Sequence, residues 1–404
     1  MNREKYLTKA SEYLNKICSV KPNRRTGSPG NREATDYFAN IVLQLGYDVD
    51  TAPFKCMDYR KKKVSLSFKK NNFDVYISPY SLKCDITAEL VAVSTVGELE
   101  KISCKGKILL MKDEICSEQL MPKNFVFYNP DHHKKIYAFL EEKKPAAIIT
   151  ATAKNPELVG ALYPFPLIVD GDFDIPSVYC TDVIGREISA HINEMFKLII
   201  QTERIPSTAS NVIARKNQKN NEKIVVCAHI DAYEETPGAS DNASGVVVLL
   251  LLAEMLMDYD KSLCIELIAF NGEDHYSTGG QMDYMKRYHS EIEKILLVIN
   301  VDDVGYKKGK TAFSFYESTD ELQQKLHSIF KNYNGLVEST PWYNGDHMIF
   351  VQRGKPALTL TSEKMPELMA TITHTEKDTL DIIDIASLVK IARALKDSII
   401  SLKS

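Results

Sequence analysis

The stretch "NGEDHYSTGG", residues 271–280, sets Glu273 and Asp274 side by side directly after the apolar run Cys264–Phe270. Adjacent carboxylates where a buried strand ends repel one another unless a nearby charge offsets them, and a metal ion is such a charge. The same residue types close the neighbouring apolar runs. His229 and then Asp231 follow Lys223–Ala228, and Asp302–Asp303 follow Lys294–Val301. In "PGASDNASG", Asp241 and Asn242 introduce an apolar helix, whose dipole keeps a carboxylate ionised and suits it to sharing by two cations. "TITHTEKDTLD" adds His374 in a polar loop. Two imidazoles, His229 and His374, with three carboxylates, Asp241, Asp274 and Asp302, make an inventory for two metal ions ~3.5–4 Å apart that share one ligand. Zn accepts this mixture, as do Co and Mn. Glu273 is left over beside a ligand, the place of a general base acting on water.

Those residues need a frame that brings strand ends together. Strand candidates are Asn211–Arg215, Lys223–Ala228, Cys264–Phe270, Lys294–Val301, Ala312–Tyr316 and Ala357–Leu360, with helices predicted at 243–257, 280–289, 320–333 and 380–402. Almost wholly apolar strands alternating with helices indicate an α/β fold, a mostly parallel mixed sheet sandwiched by helices. In open sheets of this kind ligands gather beyond the carboxyl ends of the strands. The N-terminal sixty residues read as helix 3–20, the turn-rich "NRRTGSPGN", helix 33–45 and a strand near 47–54. From the basic run Arg60–Lys63 to about residue 205 the pattern turns to short strands (KVSLSF, FDVYI, AELVAV, KGKILLM) with a helix at 134–142, which reads as an inserted β-rich unit. The expected division is therefore 1–59, 60–205 and 206–404.

Composition narrows the function classes. Lys plus Arg number 50 and Asp plus Glu 54, a formal charge of −4, which lacks the basic excess a nucleic-acid binder needs. The first twenty residues carry charges throughout and have no apolar core of export-signal length. The longest apolar run, Val246–Ala253, is far below the ~20 residues of a membrane span. These features predict a soluble, cytoplasmic protein with no membrane partner, and the eight scattered cysteines without a C-x-x-C pair are expected as reduced core residues. Oligomeric state is not specified by the sequence.

Five stretches, "AHIDAYEETPGASDNASGVVVLL", "IAFNGEDHYSTGG", "INVDDVG", "GDHMIFVQRGKPAL" and "THTEKDTLDIID", occur in the order found in the co-catalytic zinc aminopeptidases of the bacterial leucyl aminopeptidase and aminopeptidase Y type. "NRRTGSPGNREATDYF" resembles the start of that family, and "KGKILLM", "EEKKPAAIIT" and "DIPSVYCT" resemble the protease-associated domain some members insert. The resemblance implies a zinc-exopeptidase fold and peptide substrates. It implies one metal on His229, Asp302 and Asp241, and another on Asp241, Asp274 and His374. It also implies Glu273 as general base, Asp231 as the carboxylate orienting His229, and an inserted domain that roofs the cleft. Many members have Glu at the position of Asp274, so a shorter side chain must reach the metal. Asp303, beside Asp302, stands where better-known members have an apolar residue and is the candidate to meet a substrate ammonium group; His347 is similar to a family histidine near the pocket, with packing an even alternative.

Other enzyme classes lose their anchors. "GYKKGKT", residues 305–311, has its first glycine one position too close for a phosphate loop and is followed by a strand. No G-x-S-x-G or H-E-x-x-H occurs. His132–His133 and Arg60–Lys63 are expected on solvated surface. The relatives leave open a single-zinc glutaminyl-cyclase-like transferase, a receptor-like protein that has lost its ligands, and a carboxypeptidase, for which Arg353 is the candidate carboxylate anchor.

Overall fold

The computed structural model describes residues 2–154, 162–219 and 222–402, with side chains from Glu4 onward. Two compact units emerge, one made of Met1–Cys56 with Thr208–Ser404 and the other of Met57–Ser207.

The larger unit is built on an eight-stranded sheet in the order Asp48–Asp50, Val212–Lys216, Cys264–Phe270, Lys223–His229, Ile295–Val301, Ala357–Ser362, Thr311–Tyr316, Leu336–Glu338. Its four central strands are mutually parallel, and every residue of the pair Lys223–His229 and Cys264–Phe270 is buried. Strands buried on both faces have no polar alternation to display, which is why they read as unbroken apolar runs. Parallel pairing turns all four carboxyl ends to one edge, with His229 level with Phe270 and Val301 level with Leu360. Helix Gly245–Met255, GVVVLLLLAEM, is apolar on all sides apart from Glu254 and is buried between the sheet, helix Asn2–Cys18 and helix Ile385–Ser401. Glu254 is capped by Lys9 and Tyr13 of the first helix.

Helix boundaries depart from expectation where caps decide them. The second helix starts at Pro29 rather than Glu33, because Ser28 accepts the Asn31 N–H and proline suits the first helical position. The last begins at Ile385 rather than 380, where Asp384 caps the Ala386 N–H. The helix expected from Ala243 begins at Gly245, behind an irregular turn, Ala239–Ser244. A Cβ on Gly245 would stand 2.3 Å from the Val301 carbonyl, so only glycine lets this helix approach the strand that carries Asp302.

In the smaller unit a second eight-stranded sheet runs Asn71–Phe73, Pro53–Phe68, Met195–Ser210, Cys84–Val93, Ile108–Met111, Ala147–Thr152, Ser177–Thr181, Tyr76–Ile77. From Cys84–Val93 to Ser177–Thr181 its strands are parallel, and helices Val96–Lys101, Asp131–Lys143 and Asp182–Ser189 belong to the same unit. It is thus less purely β than its short strands suggest, since Ile108–Met111 and Ala147–Thr152 are buried throughout and need cover on both faces. Of the two histidines expected on the surface, His132 is exposed but His133 is buried, its Nδ1 accepting the Met121 N–H at 3.0 Å. No helix among the described residues is long and apolar enough to cross a membrane. All eight cysteines are free thiols, six of them buried.

At the amino ends of the central strands lies a buried ionic cluster. Glu266, fully enclosed, accepts from Arg215 Nε at 2.5 Å, from Lys223 Nζ at 3.1 and 3.2 Å and from Tyr284 Oη at 2.5 Å. Burial opposes its charge, but Lys223 and Arg215 outweigh that and hold its pKa below the usual glutamate value. A depressed folded pKa stabilises the fold above the unfolded value of about 4.3 and loses that contribution as pH falls through the folded one. Glu266→Gln takes the carboxylate from Arg215 and leaves Lys223 with Glu291 alone, and the expected cost is roughly 3–5 kcal/mol in urea unfolding at pH 7. The gap from wild type should narrow on acidification.

Candidate metal centre

The carboxyl edge of the parallel strands collects the acidic and imidazole groups. His229 ends its strand, Asp302 follows Val301, and Glu273–Asp274 lie in the loop after Phe270. Asp241 comes from the turn Ala239–Ser244 and His374 from the loop after helix Met365–Thr371. Asp241 stands between the two imidazoles: Oδ1 is 3.0 Å from His229 Nε2, and Oδ2 is 3.0 Å from His374 Nε2. On the first side Asp302 Oδ1 is 3.4 Å from His229 Nε2, and on the second Asp274 Oδ1 is 2.8 Å from His374 Nε2. Although one carbon shorter than Glu, Asp274 thus reaches its imidazole.

These separations suit a shared cation. Donors bound at ~2.0–2.1 Å around a tetrahedral ion lie about 3.3 Å apart, close to the spacing on both sides of Asp241. Donor atoms of His229, Asp241 and Asp274 fall within 4.8 Å of one another, as do those of Asp241, Asp302 and Asp303. Asp274 Oδ2 and Asp302 Oδ1 are buried without a hydrogen-bond partner, a costly state that a cation would relieve. The residues therefore fit a metal ion, and the two donor groups overlap at Asp241.

Electrostatics tell the same story. Burial opposes ionisation of Asp241, but hydrogen bonds from both imidazoles overcome it and keep its pKa low. For Asp274 and Asp302 burial wins, and neighbouring carboxylates add to it, so both lie above the usual aspartate value. Glu273 is pushed well above the usual glutamate value by burial and by Asp274, Asp302 and Asp346. Burial opposes charge on His229 and on the half-buried His374, yet the surrounding carboxylates raise both pKa values well above the ordinary one.

Surrounding groups hold the site in place. Asp231 lies 3.6 Å from His229 Nδ1, beyond hydrogen-bond length, and its Oδ2 accepts from Thr26 Oγ1 at 2.8 Å and from the Asp274 N–H at 3.2 Å. Arg24, buried, donates to the carbonyls of Ile230, Pro237 and Gly238. Asn271, where the catalytic loop begins, is bound by Asn31, Thr35 and the Ser210 carbonyl. Tyr233 stacks on His374, ring centroids 4.6 Å apart.

Of the remaining sequence candidates, Asp303 is buried with Oδ1 accepting the Ser240 hydroxyl at 2.7 Å. His347 is wholly enclosed, with Trp342 and Tyr316 rings against it and Nε2 3.2 Å from the Trp342 carbonyl. Burial lowers its pKa to about 4, so the geometry favours packing. Arg353 is exposed and donates to the Ile349 carbonyl within its own turn. Asp241, expected as the cap of the following helix, has φ −109° and ψ 91° four residues before that helix begins. What holds it is Asp378, which sequence reasoning missed, as it missed Asp346, Thr26 and Arg24. Asp378 lies in the His374 motif, and Thr26 and Arg24 in "NRRTGSPGN", so motif membership was the available signal.

A parallel α/β sheet thus gathers carboxylates and imidazoles beyond its strand ends in a set able to hold a metal ion. Comparison with known proteins narrows this: residues 211–399, just under half of the chain, match peptidase family M28. It is 24% identical over 292 residues to the probable lipoprotein aminopeptidase LpqL of Mycobacterium tuberculosis, covering 69% of this chain and 54% of that one. The chain thus spans about half the length of the first curated relatives it matches. Among solved structures, an aminopeptidase from Aneurinibacillus sp. strain AM-1 superposes with a TM-score of 0.73 at 22% identity, covering 97% of this chain and 93% of that one. A zinc aminopeptidase from Bacillus subtilis gives 0.75 at 18%, covering 97% and 94%. These likenesses establish the zinc-exopeptidase fold.

Zn²⁺ added to chelator-treated protein should raise its thermal midpoint, by about 2.7 kcal/mol of stability at a hundredfold excess over Kd. His374→Ala should lose part of that gain in the same calorimetric scan. A midpoint indifferent to Zn²⁺ would contradict the fit.

Proposed function

We propose that the chain is a two-zinc aminopeptidase that removes N-terminal residues from peptides. Asp241 carries this reading, because a carboxylate that offers one oxygen to each of two imidazoles is arranged to be shared. His229 and Asp302 would hold one ion, and His374 and Asp274 the other. When bound, the metal supplies Lewis acidity, polarising the scissile carbonyl and making water acidic enough to lose a proton near neutral pH. Glu273 takes that proton and returns it to the leaving amine. Its enclosure among carboxylates suits a base that must hold a proton between the two transfers. Asp231, held by Thr26, lies on the Nδ1 side of His229 and anchors the Asp274 N–H. Asp303 commits Oδ1 to Ser240, leaving Oδ2 for the substrate ammonium.

The single-metal transferase would leave one of the two imidazole–carboxylate sets idle. A carboxypeptidase needs a cationic anchor, and its candidate, Arg353, is exposed and donates to the Ile349 carbonyl within its own turn.

Glu273→Gln should lower kcat by about 10²–10⁴-fold while Zn²⁺ content stays at the wild-type level; retained turnover would remove Glu273 from the mechanism. In a panel of aminoacyl chromogenic substrates, those with a free amine should be cleaved and their acetylated counterparts spared, and chelator should abolish cleavage. Cleavage of the acetylated forms at equal rates would reject exopeptidase action at the amino end.

A further inference from the structure

The two subsites are supported differently. His229 and Asp302 sit at the ends of laddered strands, and the Asp302 N–H donates to the Leu360 carbonyl at 2.9 Å. Asp241 and His374 lie on irregular backbone, and His374 has φ +61°, a conformation few non-glycine residues adopt. No ladder fixes their spacing.

Asp378 bridges the two loops. Its Oδ1 accepts the Ser240 N–H at 2.7 Å, its Oδ2 accepts the Asp241 N–H at 3.0 Å, and its carbonyl accepts the Ala239 N–H at 3.1 Å. Lying four residues after His374 and fully buried, it is fixed to that loop by its own N–H, which donates to the Thr375 carbonyl at 3.2 Å. One residue, with two bonds from its side chain and one from its carbonyl, thus fastens three successive residues, 239–241, to the loop that carries the second imidazole. Buried amides left without a partner would be costly, so the contact constrains both loops strongly.

We infer that Asp378 is a positioning residue for the subsite of His374, Asp274 and Asp241 Oδ2: it sets the separation of His374 from Asp241 and leaves the His229 side to the strand ladder. This inference rests on the metal reading above. Asparagine at 378 keeps one acceptor but turns an NH2 group toward an amide N–H, so one of the two side-chain bonds is lost.

The test is a calorimetric titration of Zn²⁺ alone into chelator-stripped full-length protein. Wild type should show two affinity classes, one of them removed by His374→Ala. In Asp378→Asn that same class should weaken by about 10–100-fold while the other moves less than about threefold, the range expected when a hydrogen-bond partner of a metal ligand is lost. Thermal melts of the stripped variants report folding, and if Asp378→Asn lacks a cooperative melt, Asp378→Glu is read in the same way. No shift, or equal shifts in both classes, overturns the role of Asp378 and leaves the site reading intact. A wild type without two Zn²⁺ classes overturns both.

Discussion

Asp241 between two imidazoles is the constraint on which the larger unit turns. Each of its oxygens lies 3.0 Å from a ring nitrogen, and around that contact the chain buries Asp274, Asp302, Asp303 and Asp378 with Glu273 beside them. Like charges at such density are tolerated only where cations compensate them. In the protein alone, protonated imidazoles and raised carboxyl pKa values share that task. Metal ions do it more completely, because the buried oxygens of Asp274 and Asp302 have no hydrogen bond to give up.

Rigid and irregular backbone divide the labour. Strand ladders deliver His229 and Asp302, while loops deliver Asp241, Asp274 and His374 and must be braced from elsewhere. The braces are polar and buried: Asp378 under the Asp241 turn, Thr26 against Asp231, and Asn31 with Thr35 against Asn271. Much of this bracing comes from the N-terminal segment. The segment matched by the family, residues 211–399, is therefore short of its own supports.

His347 and His133 show how little residue type says without surroundings. One, expected near a ligand, is enclosed by aromatic rings and held neutral by burial. The other, expected in solvent, is buried with its Nδ1 taking an amide proton, which leaves the ring hydrogen on the Nε2 that faces Glu118. That tautomer cannot give Nε2 to a metal, although Glu118, His132 and His133 cluster closely enough to suggest one. Asp274 teaches the converse, since loss of a methylene relative to Glu is absorbed by the position of its loop.

Sequence by itself determined the parallel sheet and the groups at its edge, because apolar runs, strand-end residues and helix periodicity are local properties. Cys264–Phe270 coincides with its expected span, and the five other strands expected after residue 206 differ from theirs by a residue or two at their ends, whereas the strand expected near 47–54 is cut to Asp48–Asp50. Tertiary structure alone decided which polar side chains hold the loops. Asp378 meets Ser240 across 138 residues, and Thr26 meets Asp231 across 205. Neither an Asp in a polar loop nor a Thr in a turn signals its partner, because a hydrogen bond between distant segments leaves no period or composition in the chain. It exists only once the sheet has brought those segments to the same edge.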